Sequence, residues 1–315
     1  MIFSIAAKTE KGLKRLSNED NLYVNGQYLQ SPDDSFDFSV TTHDRGIFAV
    51  CDGMGGESRG DFASHCAVST LGRYSDRILC IDNEAQLNAV DEYIQDVNAA
   101  LCSESKKNGV RIGSTLAMLC LKDDMANAYN IGDSRIYLFR ENRLVQLSLD
   151  HTATQQKVNL GIIKESEALY DSDRNKLTQH FGVFEDEFIL EAHIASAEIQ
   201  AGDVFLICSD GLTDMLKKDE IASILNGNID PKKISDVLMQ TALENGGNDN
   251  ISVIVIGALH NAYPPSPLNV EKGVANQNLA EPFAYGRIKK ACDKWQVVTQ
   301  KFCCRERWIH TWLMI

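Results

Sequence analysis

The sequence has no Cys-x-x-Cys pair, no run of about 18 consecutive apolar residues, no P-loop and no twelve-residue acidic loop of the calcium-binding kind. Each absence closes a route. Without paired cysteines, a zinc ribbon or thioredoxin-type redox site is excluded. Without a long apolar run, no transmembrane segment is expected. The nine cysteines are odd in number and mostly dispersed. Cys51, Cys120 and Cys208 stand inside apolar runs, where a thiol serves as a small hydrophobe. This pattern suits reduced thiols in a reducing compartment rather than a disulfide framework. The opening MIFSIAAKTEKG shows neither a basic leader nor a signal-peptide apolar stretch, so a cytoplasmic location is expected. Positive charge is also scarce: 31 Lys and Arg face 44 Asp and Glu, a net charge of −13 over 315 residues. Nucleic-acid phosphates and anionic lipid would repel such a chain, so neither is expected as a main partner.

What is present is a core. The hydrophobic content of 44% is that of a folded globular protein. Short apolar runs recur between turn signals at Gly46–Cys51, Ser114–Leu121, Ala126–Phe139, Val204–Cys208 and Ile251–Ala258, several of them rich in Val, Ile, Phe and Tyr. Helical spacing is expected over 61–73, over 87–101 (Leu87, Val90, Ile94, Val97, Leu101) and over 231–243 from Pro231. Strands in hairpins with a few helices set apart imply an α+β domain, two antiparallel sheets packed face to face with helices outside. The domain is expected to span 1–259. Pro264, Pro265 and Pro267 then open a linker to a basic, aromatic tail (260–315) holding all three tryptophans; the tail carries +4, leaving −17 on the rest. A plain extension is the preferred reading of the tail, with partner docking or membrane contact as alternatives.

Acidic side chains stand in turns and at strand ends, where a rigid scaffold presents functional groups. They occur in Arg15-Leu16-Ser17-Asn18-Glu19-Asp20, Asp52-Gly53-Met54-Gly55-Gly56, Gly132-Asp133-Ser134-Arg135, Ser209-Asp210-Gly211-Leu212 and Gly247-Asn248-Asp249-Asn250-Ile251. The apolar runs before Asp52 and Asp210 read as buried strands that each end in Asp-Gly. Two such ends can bring carboxylates side by side, and a divalent cation resolves their repulsion. Taken singly, each Asp-Gly is a common turn pair; the information lies in the series.

That series resembles the metal-dependent serine/threonine protein phosphatases of the PPM (type 2C) family, and the bacterial branch in particular. The matching elements, in the family's order, are R-L-S-N-E-D, D-G-M-G-G, G-S-T-L at 113–116, G-D-S-R, L-D-H-T at 149–152, S-D-G-L-T-D and G-N-D-N-I-S-V, covering roughly residues 4–257. The resemblance implies a β-sandwich flanked by helices and two Mn²⁺ or Mg²⁺ ions, with a weaker third. It implies that Asp52 bridges the two ions, that Glu19 and the Gly53 carbonyl serve one, and that Asp210 and Asp249 serve the other. Asp20 would order the attacking water, Arg15 would hold the substrate phosphate, and Asp133 would share the third ion with Asp210. Residues 152–181 would form the variable flap. The implied reaction is hydrolysis of phosphoserine or phosphothreonine by metal-activated water, on proteins phosphorylated by a serine/threonine kinase, by a monomeric enzyme.

Those residue types suit that chemistry. Mg²⁺ and Mn²⁺ prefer oxygen ligands and retain waters, so few carboxylates suffice, and the guanidinium fork of Arg15 matches phosphate oxygens. Many eukaryotic relatives carry a histidine after the Asp-Gly; here Met54 takes that place, as in bacterial members, and water becomes the expected proton donor. His151, in L-D-H-T, is expected to make structural hydrogen bonds instead. Three alternatives fit the sequence less well. A non-catalytic phosphatase-like sensor domain would lack carboxylates of the series, and none is missing. A nucleophile-based hydrolase lacks a Ser/His/Asp set in a fitting context, and the Cys51 thiol lies beside a carboxylate that would raise its pKa. A calcium scaffold lacks its acidic loop.

Overall fold

The computed structural model describes residues 1–34, 36–43, 45–55, 59–80, 83–227 and 230–259. The tail expected at 260–315 lies outside the described residues. Strands β1 (Ile2–Glu10), β2 (Asp20–Val24), β3 (Gln27–Tyr28), β4 (Phe36–His43) and β5 (Gly46–Gly55) come first, followed by helices α1 (Gly60–Cys80) and α2 (Asn83–Asn108). Next are β6 (Ile112–Ser114), β7 (Leu116–Lys122), β8 (Met125–Ile131), β9 (Arg135–Arg140) and β10 (Arg143–Gln146). After α3 (Ala153–Asn159) and a 3₁₀ turn at Glu165–Tyr170, the chain forms β11 (His193–Glu198), β12 (Val204–Cys208), α4 (Asp210–Thr213), α5 (Lys218–Asn226), α6 (Pro231–Glu244) and β13 (Ile251–Leu259).

Two antiparallel sheets result, one in the order β10-β9-β12-β13-β1-β4 and one in the order β11-β8-β7-β5-β2-β3, with β6 paired to β5. Side-chain alternation along each strand sorts the layers. In β5, Phe48 and Val50 enter the inter-sheet core with Leu22, Leu119, Phe205, Ile254 and Ile256. Their neighbours Ile47, Ala49 and Cys51 face the other way, against Ala63, Val68 and Leu71 of α1 and Tyr93 and Val97 of α2. On the opposite sheet, Leu206, Val253 and Val255 pack under Ile234, Leu238 and Ala242 of α6. The order of layers is therefore helix, sheet, sheet, helix, as the sequence implied.

Local sequence sets the joints. Asn25-Gly26, Asp123-Asp124 and Glu141-Asn142 all adopt left-handed backbone, which closes two-residue hairpins with the right twist. The Asp230 carboxylate accepts from Lys232 N (3.0 Å) ahead of Pro231, capping α6 at the residue the sequence marks. The first two helices run longer than their apolar periodicity, and the expected run Ala126–Phe139 is two strands. The break falls at Gly132-Asp133-Ser134, where the chain crosses from one sheet (β8) to the other (β9).

Register then decides where the acids meet. Glu10 pairs with Ile251, Cys208 with Val253 and with Arg135, and Asp20 with Asp52. Consequently the β1–β2 loop, the end of β5, the β8–β9 crossover, the β12–α4 junction and the entry to β13 all lie at one end of the sandwich. Among the described residues, no helix is long and apolar enough to cross a membrane.

Candidate metal centre

Asp20 and Asp52 are cross-strand partners, and both continue the face of their strands that points between the sheets, in step with Leu22 and Val50. Asp20 is buried; its Oδ2 accepts from Ser209 Oγ and Ser252 Oγ, both at 2.7 Å. Ser252 is itself bonded to Thr9 (2.7 Å), which accepts from Asn18 Nδ2 (2.9 Å), and Asn18 Oδ1 accepts from Asp20 N (3.2 Å). This chain of hydroxyls and amides locks the Asp20 carboxyl in place.

Asp52 is fixed through its backbone. Its N–H donates to Thr115 Oγ1 (2.9 Å), its carbonyl accepts from Thr115 N (2.9 Å), and Thr115 Oγ1 pairs with Ser134 Oγ at 2.7 Å, beside Asp133. Gly53 donates to the Glu19 carbonyl at 3.1 Å. A Cβ at Gly53 would lie 1.9 Å from the Gly60 carbonyl oxygen, and one at Gly60 would lie 2.7 Å from the Glu19 carboxyl carbon. Only glycines let these two segments close around Glu19, whose Oε1 accepts from Gly60 N (3.3 Å) at the start of α1.

The electrostatics follow from crowding. Burial first, then Asp20, Asp210, Asp133 and Asp249, push the Asp52 carboxyl well above the ordinary range. Burial, Asp210 and Asp150 do the same to Asp133, against the pull of Arg135. Asp20 is driven to about 7 mainly by burial, with Ser209 and Ser252 opposing; Asp210 is driven to about 6 by burial and Asp249. Glu19 is raised by burial and held back by the Gly60 N–H and Arg15. Asp210 and Asp52 are within hydrogen-bonding reach of each other, while the buried Oδ1 atoms of Asp20 and Asp210 have no partner. Partnerless oxygens amid mutually repelling carboxyls are the donor set of hard divalent cations. No group of three His, Cys, Asp or Glu side chains among the described residues is arranged to hold an ion alone. Ions here would complete their shells with water and the Gly53 carbonyl, as Mg²⁺ commonly does with water.

Arg15 reaches the same place: its Nη2 pairs with Asp249 Oδ2 at 2.5 Å. Residues 30–246 match the family model for protein phosphatase 2C. The chain belongs to that family. It is 31% identical over 252 residues to the serine/threonine phosphatase stp of Listeria welshimeri, covering 79% of this chain and 93% of the relative. The serine/threonine phosphatase PstP/Ppp of Mycobacterium tuberculosis superposes with a TM-score of 0.69 at 27% identity, over 82% of this chain and 100% of that one. The catalytic domain of the phosphatase PstP in complex with two manganese ions gives a TM-score of 0.65 at 26% identity, over 82% and 100%.

As a protein phosphatase 2C member, the chain gathers all eight expected residues at one end of the sandwich, namely Arg15, Glu19, Asp20, Asp52, Gly53, Asp133, Asp210 and Asp249. His151 does not join them as an acid: it accepts from Gly132 N (3.2 Å), donates its own N–H to the Gly132 carbonyl (2.9 Å), and burial pushes its imidazole down to about 4. The Cys51 thiol is pushed far up by burial and by Asp20 and Asp52, which ends the thiol alternative. The segment 152–181, expected as the flap, is braced internally by the bridge Thr152–Leu177 and by Lys157 on Asp171 (2.9 Å), and is tied to the rest of the domain by the bridge Ser114–Phe181 and by Arg174 on Asp214 (3.4 Å).

Two points escaped the sequence reading. Gly56-Glu57-Ser58-Arg59-Gly60 does fit the Gly-x-Ser-x-Gly pattern of serine hydrolases. It follows β5, whose pairings are all antiparallel, unlike the parallel strands of an α/β-hydrolase, and Ser58 lies outside the described residues. The second is Asn250. It is buried, its Oδ1 accepts from Glu19 N (2.8 Å), and its Nδ2 donates to the carbonyls of Lys11 and Ser17, both at 2.9 Å. One side chain thus ties the Arg15 loop and Glu19 to Asp249. Its place beside Asp249, at the last position before the apolar strand β13, was the available signal. Asn250→Ala strands three backbone groups, so urea denaturation is expected to show a loss of about 2–4 kcal/mol. Wild-type stability in that variant would mean that water replaces the amide.

Proposed function

We propose that the chain hydrolyses phosphoserine and phosphothreonine in proteins at this carboxylate centre. It is a protein phosphatase that depends on Mn²⁺ or Mg²⁺. The observation that carries the assignment of the site is the convergence of Asp20, Asp52, Asp133 and Asp210, with partnerless buried oxygens, beside the Arg15 guanidinium.

Asp52, Glu19 and the Gly53 carbonyl would hold one ion, Asp52, Asp210 and Asp249 the second, and Asp133 with Asp210 a weaker third. Bound there, the ions supply Lewis acidity to water and to the phosphoryl group. Arg15 takes the phosphate oxygens with a planar fork and offsets the charge that spreads over them during transfer. Asp20, held by two serines, accepts a hydrogen bond from the attacking water and aims it. Cys51 plays no nucleophilic part. A non-catalytic sensor is the weaker reading, because every carboxylate of the series is present at the site.

Its substrates are read as products of a serine/threonine kinase. The enzyme is read as a monomer. The six described cysteines are free, in keeping with a reducing compartment such as the cytoplasm. The domain is taken to end at 259, where β13 closes with Leu259.

The test is turnover of phosphoserine and phosphothreonine peptides with Mn²⁺, Mg²⁺ or EDTA, on the full chain and on a chain ending near 260. Turnover is expected with either ion and not in EDTA. Small-substrate turnover should be equal for the two lengths. Undiminished hydrolysis in EDTA would sink the metal-centre reading, and a large change on truncation would make the tail part of the working domain.

A further inference from the structure

The loop between β1 and β2 carries Arg15 between two leucines, and both are displayed to solvent. Leu13 is 65% exposed and Leu16 97%, the most exposed large apolar side chain among the described residues. Exposed leucines scattered on a surface need no explanation. These two differ because their loop is held at every stage. Asn250 Nδ2 grips the carbonyls at both ends, Lys11 and Ser17. Leu13 N donates to the Gly247 carbonyl at 2.7 Å. Gly12, at φ +77°, lets the loop approach so closely that a Cβ there would lie 2.1 Å from the Asp249 carbonyl oxygen. Arg15 is anchored on Asp249.

A surface fixed so firmly loses little conformational entropy when something binds to it, and that raises the yield of each apolar contact. A phosphoresidue held at Arg15 leaves its chain neighbours one residue away, about 3.3–3.6 Å along an extended peptide. The side chain flanking the phosphoresidue is thereby kept within about one residue's length of the loop that carries Leu13 and Leu16.

Resting on the phosphatase reading above, we propose that Leu16, with Leu13 three residues before it in the same loop, is a specificity-determining contact for an apolar side chain immediately next to the phosphorylated residue. The occupant is the substrate itself. Leu16 adjoins the phosphate-holding residue in the chain, and the exposed Lys11 and Lys14 attract the phosphate without competing for apolar surface. The leucines do no chemistry; they select which phosphopeptides the centre receives.

The experiment uses the full chain with saturating Mn²⁺ and three substrates. These are p-nitrophenyl phosphate and two phosphoserine peptides that differ only in carrying Leu or Ser at the positions flanking the phosphoserine. Wild type is expected to prefer the leucine peptide by about tenfold in kcat/KM, the scale of burying part of a leucine. In Leu16→Ser, and more fully with Leu13→Ser added, the preference should fall to within about twofold while p-nitrophenyl phosphate turnover stays unchanged. No preference in wild type, or a preference that survives both substitutions, overturns the proposal. Lost p-nitrophenyl phosphate turnover in Leu16→Ser also overturns it, since the leucine would then be structural. So does a changed oligomeric state with unchanged peptide preference, which would assign the leucines to self-association. If wild type turns over none of the three, the phosphatase reading itself has failed.

Discussion

Asp52→Asn is expected to lower phosphopeptide turnover by about 10²–10³-fold or more, the range for removing one charge-stabilising group, while making the protein harder to unfold in EDTA. Both effects have one cause. The Asp52 carboxyl is buried and faces Asp20, Asp210, Asp133 and Asp249, all of one sign, so without cations its negative charge opposes folding. The amide keeps the shape and removes that charge. The backbone bonds to Thr115 that fix residue 52 do not involve the side chain and should survive. The same change deprives divalent ions of the proposed bridging carboxylate, so activity and Mn²⁺ affinity fall together. Calorimetric melting at pH 8 in EDTA should show a midpoint higher by roughly 2–4 °C per kcal/mol of repulsion removed. A lower midpoint, or wild-type turnover, would refute this account of Asp52.

The sandwich was legible in the sequence because each layer leaves its own period. The unbroken apolar run Ile47-Phe48-Ala49-Val50, a strand covered on both faces, and the three-and-four spacing along α2 and α6 are direct traces of the layers. The carboxylates were legible because Asp-Gly after an apolar strand places an acid where the strand leaves the core. Pairing was not legible. Nothing in Asp20 or Asp52 alone announces that they stand opposite one another, since register is settled by the whole of β2 and β5. β1 and β4 were not among the expected strands, although in β4, paired to β1 at the sheet edge, Phe36, Phe38 and Val40 alternate with Asp37, Ser39 and Thr41. The supporting groups were equally hidden. Thr115, Ser209, Ser252 and Asn250 act through hydrogen bonds to atoms as many as 243 positions away, and no local pattern encodes such a distance.

In EDTA the protein is expected to lose stability as the pH rises above about 7, and excess Mn²⁺ is expected to reverse that trend. Asp20 is moved from an ordinary 3.8 to about 7 and Asp210 to about 6, chiefly by burial, and Asp52 and Asp133 are moved well up. Each binds more proton in the folded chain than in the unfolded one between its two values. Stability from these groups is therefore complete below about 4 and drains away as they ionise. His151 acts the other way. Burial lowers it from 6.5 to about 4, so it adds stability as the pH climbs, with half of that slope still present at 6.5 and little left about one unit higher. The lowered His193 shares that sign. Asp171, lowered to about 2 by Lys157, matters only in stronger acid. The clustered carboxylates oppose the two imidazoles over this range, and the slope turns negative as the imidazole contribution fades above about 7. Divalent ions bind the ionised carboxylates, so they gain affinity over the same range and add about 2.7 kcal/mol at a hundredfold excess over Kd. Urea midpoints at pH 6.5, 7.25 and 8, in EDTA and in Mn²⁺, should diverge as the pH rises. Two parallel lines would mean that these carboxylates are neither crowded in the metal-free protein nor the seat of the ions.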